Sequence, residues 1–122
     1  MRSTRINVEM HGLHLIIDMY GCREDRLRDK NLISQILLEL PDLLKLTRLS
    51  EPFVEEYGNP TPGISGFVII GESHISIHTF IKDRLATVDV YACKEFNVDG
   101  AVQYLTGKLS PEKIQKYILR RG

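Results

Sequence analysis

The densest run of reactive side chains in this 122-residue chain is Gly71-Glu72-Ser73-His74-Ile75-Ser76-Ile77-His78-Thr79-Phe80. It gathers a carboxylate, three hydroxyls and two imidazoles. His74 and His78 are four apart, which is a metal-ligand interval when it falls on a helix. Ile75, Ile77 and Thr79 alternate with the polar residues, and that is a strand pattern. In a strand, residues four apart are separated by about 13 Å of rise, too far for one metal ion to bridge. The plain alternative is a half-buried strand whose polar face happens to be His, Ser and His.

The surrounding elements must position that run. Leu13 to Tyr20, bracketed by Gly12 and Gly21, reads as a strand. Leu32, Ile33, Ile36, Leu37 and Leu40 fall on one face of a helix over 29–40, which Pro41 either ends or extends by a turn carrying Leu43 and Leu44. Residues 47–57 are ambiguous, with Pro52 suggesting an edge strand. Residues 58–63 form the clearest loop. Strands are predicted over 64–70, 74–80 and 86–92, joined by hairpins at Gly71-Glu72-Ser73 and Lys82-Asp83-Arg84. A short helix is expected from Asp99 to Leu105, and residues 111–119 suit a helix or a closing strand, leaning to strand. Together these predict an α+β fold: a two-layer α/β sandwich with a mostly antiparallel sheet and helices on one face.

Composition narrows the function classes. Sixteen basic and sixteen acidic residues cancel, which argues against a general nucleic-acid binder. The basic residues Lys113, Lys116, Arg120 and Arg121 are most simply a solvated face. No run approaches the roughly 20 apolar residues of a membrane span, and the opening Met1 to Asn7 lacks the apolar core of a signal peptide. Two cysteines are too few for a disulfide scaffold. The expectation is one soluble cytoplasmic domain with no membrane or nucleic-acid partner. Cys22 reads as structural, and His11 and His14 as surface and strand-face histidines. Cys93 suits a small core residue, but strand parity places it with Thr87, Asp89 and Tyr91 on the polar face, opposite Val88, Val90 and Ala92.

The run Ile64-Ser65-Gly66-Phe67-Val68-Ile69-Ile70-Gly71-Glu72-Ser73-His74-Ile75-Ser76-Ile77-His78-Thr79 resembles the signature of the small prokaryotic S-adenosylmethionine decarboxylase proenzymes. Ala86-Thr87-Val88-Asp89-Val90-Tyr91-Ala92-Cys93 follows at that family's distance, and Gly12 to Tyr20 resembles its first strand. The likeness covers nearly the whole chain and is most specific from 63 to 93. It implies self-cleavage between Glu72 and Ser73, dividing one 1–122 domain into fragments 1–72 and 73–122. It implies that Ser73 becomes a pyruvoyl group, the cofactor. By the same resemblance His78 is the processing base, Ser65 helps to hold the oxyanion intermediate, and Cys93 returns a proton once carbon dioxide has left. The implied substrate is S-adenosylmethionine, and the product is the aminopropyl donor for spermidine synthesis.

Ser73 and His78 are an odd five apart, so on one straight strand they face opposite ways, about 16 Å apart. The resemblance answers this with a homodimer whose sites are composite, Ser73 and Cys93 from one subunit and Ser65 and His78 from the other. The nucleoside-recognition residues depart from the family. Its usual His-Thr-Trp-Pro-Glu is here His78-Thr79-Phe80-Ile81-Lys82, so Lys82 stands where a ribose-binding Glu is expected. Asn59 stands where an adenine-stacking aromatic is usual. Tyr57, Phe53 and Phe80 are the candidate aromatic faces, and Asp83 is the candidate hydroxyl acceptor. Two alternatives follow: an arginine or ornithine decarboxylase on the same scaffold, or an uncleaved, non-catalytic dimeric relative.

Overall fold

The computed structural model describes residues 11–122; the Met1 to Asn7 run read for a leader lies outside them. Alternation in β1 (Gly12–Tyr20) buries Leu13, Leu15, Ile17 and Met19 and leaves His14, Ile16 and Asp18 on the other face. A single turn, α1 (Glu24–Leu27), precedes α2 (Lys30–Leu43), whose N-terminus is capped by the Asp29 carboxylate accepting from the Leu32 N–H at 3.0 Å. Ile33, Ile36, Leu37 and Leu40 are its buried stripe. Pro41 does not end α2. It sits in the last turn, where it forfeits one backbone bond, and the helix runs on to Leu43.

The remaining elements are β2 (Phe53–Tyr57), β3 (Gly63–Ile70), β4 (Ser73–Phe80), β5 (Leu85–Ala92), α3 (Val98–Leu109) and β6 (Lys113–Arg121). Within the ambiguous 47–57 stretch only Phe53–Tyr57 is a strand. It follows Pro52 directly and lies at the sheet edge, where a missing donor costs no ladder bond. The closing segment is a strand, paired with β1 from Gly12↔Arg121 to Tyr20↔Lys113. All six strands pair antiparallel, in the order β2-β3-β4-β5-β1-β6. The helices cover one face of the sheet, giving the two-layer α+β sandwich that the pattern predicts. Among the described residues no helix is long and apolar enough to cross a membrane.

Two residues hold the β3–β4 hairpin against the helical layer. Gly66 faces α2 so closely that a Cβ there would come within 2.9 Å of the Leu37 side chain. Thr79 is the buried polar residue of the sheet. Its hydroxyl accepts from the Ile64 N–H at 2.9 Å and donates to the Leu27 carbonyl at 2.9 Å, tying the start of β3 and the end of α1 to β4. Thr79→Val keeps the shape but strands a buried donor and a buried acceptor. It should cost about 2–3 kcal/mol, read as a lower urea midpoint at unchanged slope, with Thr79→Ser recovering most of the loss.

Candidate functional site

The face of the sheet opposite the helices carries the reactive groups. On β3 it presents Ser65, Phe67 and Ile69, and on β4 His74, Ser76 and His78, alternating with buried Val68, Ile75 and Ile77. The register pairs Ser65 with His78, and the Ser65 hydroxyl shares a hydrogen bond of 2.8 Å with His78 Nδ1. A cleft of about 500 Å³ opens on this face, lined by Phe53, Glu55, Ser65, Phe67, His74 and His78 among others. Phe53 and Phe67 are cross-strand partners with ring centroids 5.5 Å apart, yet remain 55% and 42% exposed. The cleft is therefore a mostly apolar hollow with one carboxylate and a Ser–His pair at its polar end.

The other reactive cluster lies at the β3–β4 turn. Gly71 and Glu72 form the two-residue connection, and Ser73 opens β4 opposite Ile70 and Ala92. The Glu72 carbonyl accepts a hydrogen bond from the Cys93 N–H at 2.9 Å. The peptide carbonyl preceding Ser73 is thus polarised by an oriented donor, the arrangement that stabilises charge developing on oxygen during attack. Ser73 Oγ lies 3.3 Å from His74 Nδ1, and His74 packs edge-on to Tyr91.

Electrostatics distinguish the groups at this turn. The Glu72 carboxylate accepts from the Thr47 N–H at 2.9 Å and the Thr47 hydroxyl at 3.1 Å, with Lys94 Nζ at 3.9 Å. The Thr47 N–H above all, helped by its hydroxyl and the Lys94 charge, holds the carboxyl below its usual range. Its contribution to stability is therefore complete above the ordinary carboxylate value and is lost as the pH falls through the lowered one. Further along the open face, His14 Nε2 lies 2.9 Å from the Asp89 carboxylate, and the Arg121 guanidinium sits 4.6 Å over the Tyr91 ring.

Some of the candidate residues come together, and others do not. Ser65 meets His78, and Glu72 meets Cys93 through the backbone. Ser73 and His78 begin and nearly end the same strand, on opposite parities, so one chain does not unite them. Phe53 lines the cleft, but Tyr57 borders a separate hollow with Arg28, Pro62 and Ile81. Phe80 sits at the far end of β4, and Lys82 and Asp83 are exposed in the turn beyond it; none of the three lines the cleft. Sequence reasoning missed Glu55, the cleft's carboxylate, and Thr47. Glu55 had a local signal, since it lies two residues from Phe53 and so shares its strand face. Thr47 had none, because its partner is 25 residues away.

The two cysteines differ in exposure. Cys93 is exposed, just past the end of β5. Cys22 is buried, donates to the Met19 carbonyl, and burial pushes its thiol up to about 11. One thiol, Cys93, should therefore react with iodoacetamide in the native protein, and Cys22 only after denaturation, as peptide mass mapping would show.

Comparison with known proteins adds an independent line. The family described as S-adenosylmethionine decarboxylase matches residues 13–122. The S-adenosylmethionine decarboxylase proenzyme of Archaeoglobus fulgidus is 33% identical over 112 residues, covering 91% of this chain and 97% of the relative. That of Aquifex aeolicus is 36% identical over 112 residues, covering 91% and 81%. The crystal structure of the adenosylmethionine decarboxylase from Aquifex aeolicus superposes with a TM-score of 0.80 at 33% identity, covering 94% of this chain and 93% of that one.

Proposed function

Because the chain belongs to the S-adenosylmethionine decarboxylase family, we propose that it is a proenzyme that cuts itself between Glu72 and Ser73 and then decarboxylates S-adenosylmethionine for polyamine synthesis. The observation that carries this reading is the Cys93 N–H on the Glu72 carbonyl, with a serine immediately following. In the first step Ser73 Oγ attacks the Glu72 carbonyl carbon. The new C–O bond replaces the C–N bond, and the hydroxyl proton ends on the Ser73 amine. A base then takes the Ser73 α-proton; the Cβ–O bond breaks, and Glu72 leaves as a carboxylate. The remaining dehydroalanine tautomerises, adds water and loses ammonia, which leaves a pyruvoyl cap on residues 73–122.

His78 is the proposed base. If its Nδ1–H donates to Ser65, Nε2 keeps the free lone pair that proton abstraction needs. Since Ser73 and His78 lie at opposite ends of β4, the base for one chain's Ser73 is supplied by a second copy. The open face supports this homodimer: Tyr20, Phe53, Phe67, Ile69, Phe80 and Tyr117 lie exposed across it, apolar groups that a second copy would cover.

The pyruvoyl group supplies an electrophile for the substrate's α-amine and a sink for the electron pair released with carbon dioxide. The residues around Ser73 fit it, because a Ser Oγ adjoins a carbonyl already held by a backbone donor. Exposed Cys93, next to Glu72 through its backbone, is the proposed donor of the proton returned to the substrate's α-carbon from Sγ. Phe53 and Phe67 offer faces that attract a sulfonium cation and stack a base. Lys82 and Asp83 lie in the exposed turn outside the cleft, so Lys82 does not oppose that cation there.

Purified protein should separate into fragments 1–72 and 73–122, the second carrying the pyruvoyl mass, while Ser73→Ala stays whole. Labelled carbon dioxide should be released from S-adenosylmethionine, and not from arginine or ornithine. An intact wild-type chain without the pyruvoyl mass would refute the reading. Assembly has its own test. Co-expressing Ser73→Ala with His78→Ala rebuilds one complete processing site in a mixed dimer, so part of the His78→Ala chain should be cut. No cleavage in the mixture, with a monomeric wild type by light scattering, would exclude the composite site.

A further inference from the structure

We propose that Thr47 is a positioning residue for the self-cleavage reaction, holding the acyl side of the scissile bond in place through the Glu72 side chain; the inference rests on the self-cleavage reading. Three hydrogen bonds join this one residue to the pair of residues before Ser73. The Thr47 N–H donates to Glu72 Oε1 at 2.9 Å, its hydroxyl donates to Oε2 at 3.1 Å, and its carbonyl accepts from the Gly71 N–H at 2.7 Å.

Thr47 is itself anchored. The segment after it lies along the end of β3: Arg48 bridges to Ile70, the Leu49 N–H donates to the Ile69 carbonyl at 2.9 Å, and Ser50 Oγ accepts from the Ile69 N–H at 2.9 Å. From the other side, Lys94 Nζ donates to the Lys45 carbonyl at 2.9 Å and stands 3.9 Å from Glu72 Oε2. A two-residue turn containing glycine has wide conformational freedom. For the acyl shift, the Glu72 carbonyl must stay on the Cys93 N–H while Ser73 Oγ approaches its carbon. The clasp on the Glu72 carboxylate removes the freedom that would spoil that alignment. Thr47 touches neither Ser73 nor the reacting carbonyl, so its role is to orient and not to transfer protons. Nothing in the local sequence of 45–50 announces this, because the contact is made across the sheet end.

The test follows fragment formation over time in freshly refolded full-length protein. Thr47→Val keeps the backbone donor and loses the hydroxyl. It should slow cleavage about tenfold, in line with the penalty for small misalignments of reacting groups, while circular dichroism shows the variant still folded at the assay temperature. Thr47→Ser should cleave at the wild-type rate. Hydroxylamine, which severs an ester as it forms, should not restore the Thr47→Val rate, because the defect precedes the ester. Glu72→Gln approaches the clasp from the other side, and the double variant should be no slower than the slower single one. Thr47→Val cleaving within twofold of wild type would overturn the inference. So would full rescue by hydroxylamine, or multiplicative slowing in the double variant. A wild-type chain that never cleaves would instead overturn the underlying reading and this inference with it.

Discussion

The site depends on the register of β4 between its two neighbours. On one side Ser65 stands opposite His78; on the other Ser73 stands opposite Ala92, which brings the Glu72 carbonyl onto the Cys93 N–H. Because side chains alternate, a slip of one residue would turn His74, Ser76 and His78 toward the helices and expose Ile75 and Ile77. Two fully buried isoleucines and the doubly bonded Thr79 hydroxyl oppose that slip together. Gly66 adds a steric condition, since α2 approaches β3 closely only where no side chain intervenes. The reactive face is thus specified largely by what the opposite face buries, and Thr79 secures the position of the adjacent His78.

That coupling explains what the sequence discloses and what it hides. The β-rich run 64–70, the period-two alternation in 74–80 and 86–92 and the helical stripe from Leu32 to Leu40 were legible, because each is a local property of its segment. The α1 turn was not, since four residues carry too little periodicity. Pro41 was ambiguous because its cost depends on its distance from the helix end, which only the folded chain fixes. Ser65, Glu72, Ser73, His78 and Cys93 stand out in the sequence through the family resemblance, and the Ser65–His78 contact follows once the hairpin register is known. The cleft was harder. Phe53 was one of several aromatic candidates, and it lines the cleft where Tyr57 and Phe80 do not because it stands opposite Phe67, one row from the Glu55–Ser65 pair. Thr47 and Lys94 meet Glu72 only through tertiary geometry, which no spacing rule encodes.

The strand order also determines how two separate polypeptides would share this fold. Residues 1–72 supply β1, β2 and β3, and residues 73–122 supply β4, β5 and β6; in the sheet β1 lies between β5 and β6. The pieces are interleaved, like fingers of two hands, with β1 flanked on both edges by the other piece. Separating them means breaking the β1–β5, β1–β6 and β3–β4 ladders together. Their charges also favour association, with 8 basic and 11 acidic residues in the first piece against 8 and 5 in the second. Severing the backbone therefore leaves the native assembly in place but changes the character of its unfolding. Loss of structure becomes a dissociation whose midpoint moves with protein concentration. The separated pieces retain no peptide link to restore their proximity on refolding, so a nicked molecule that opens fully depends on diffusional encounter to recover its fold.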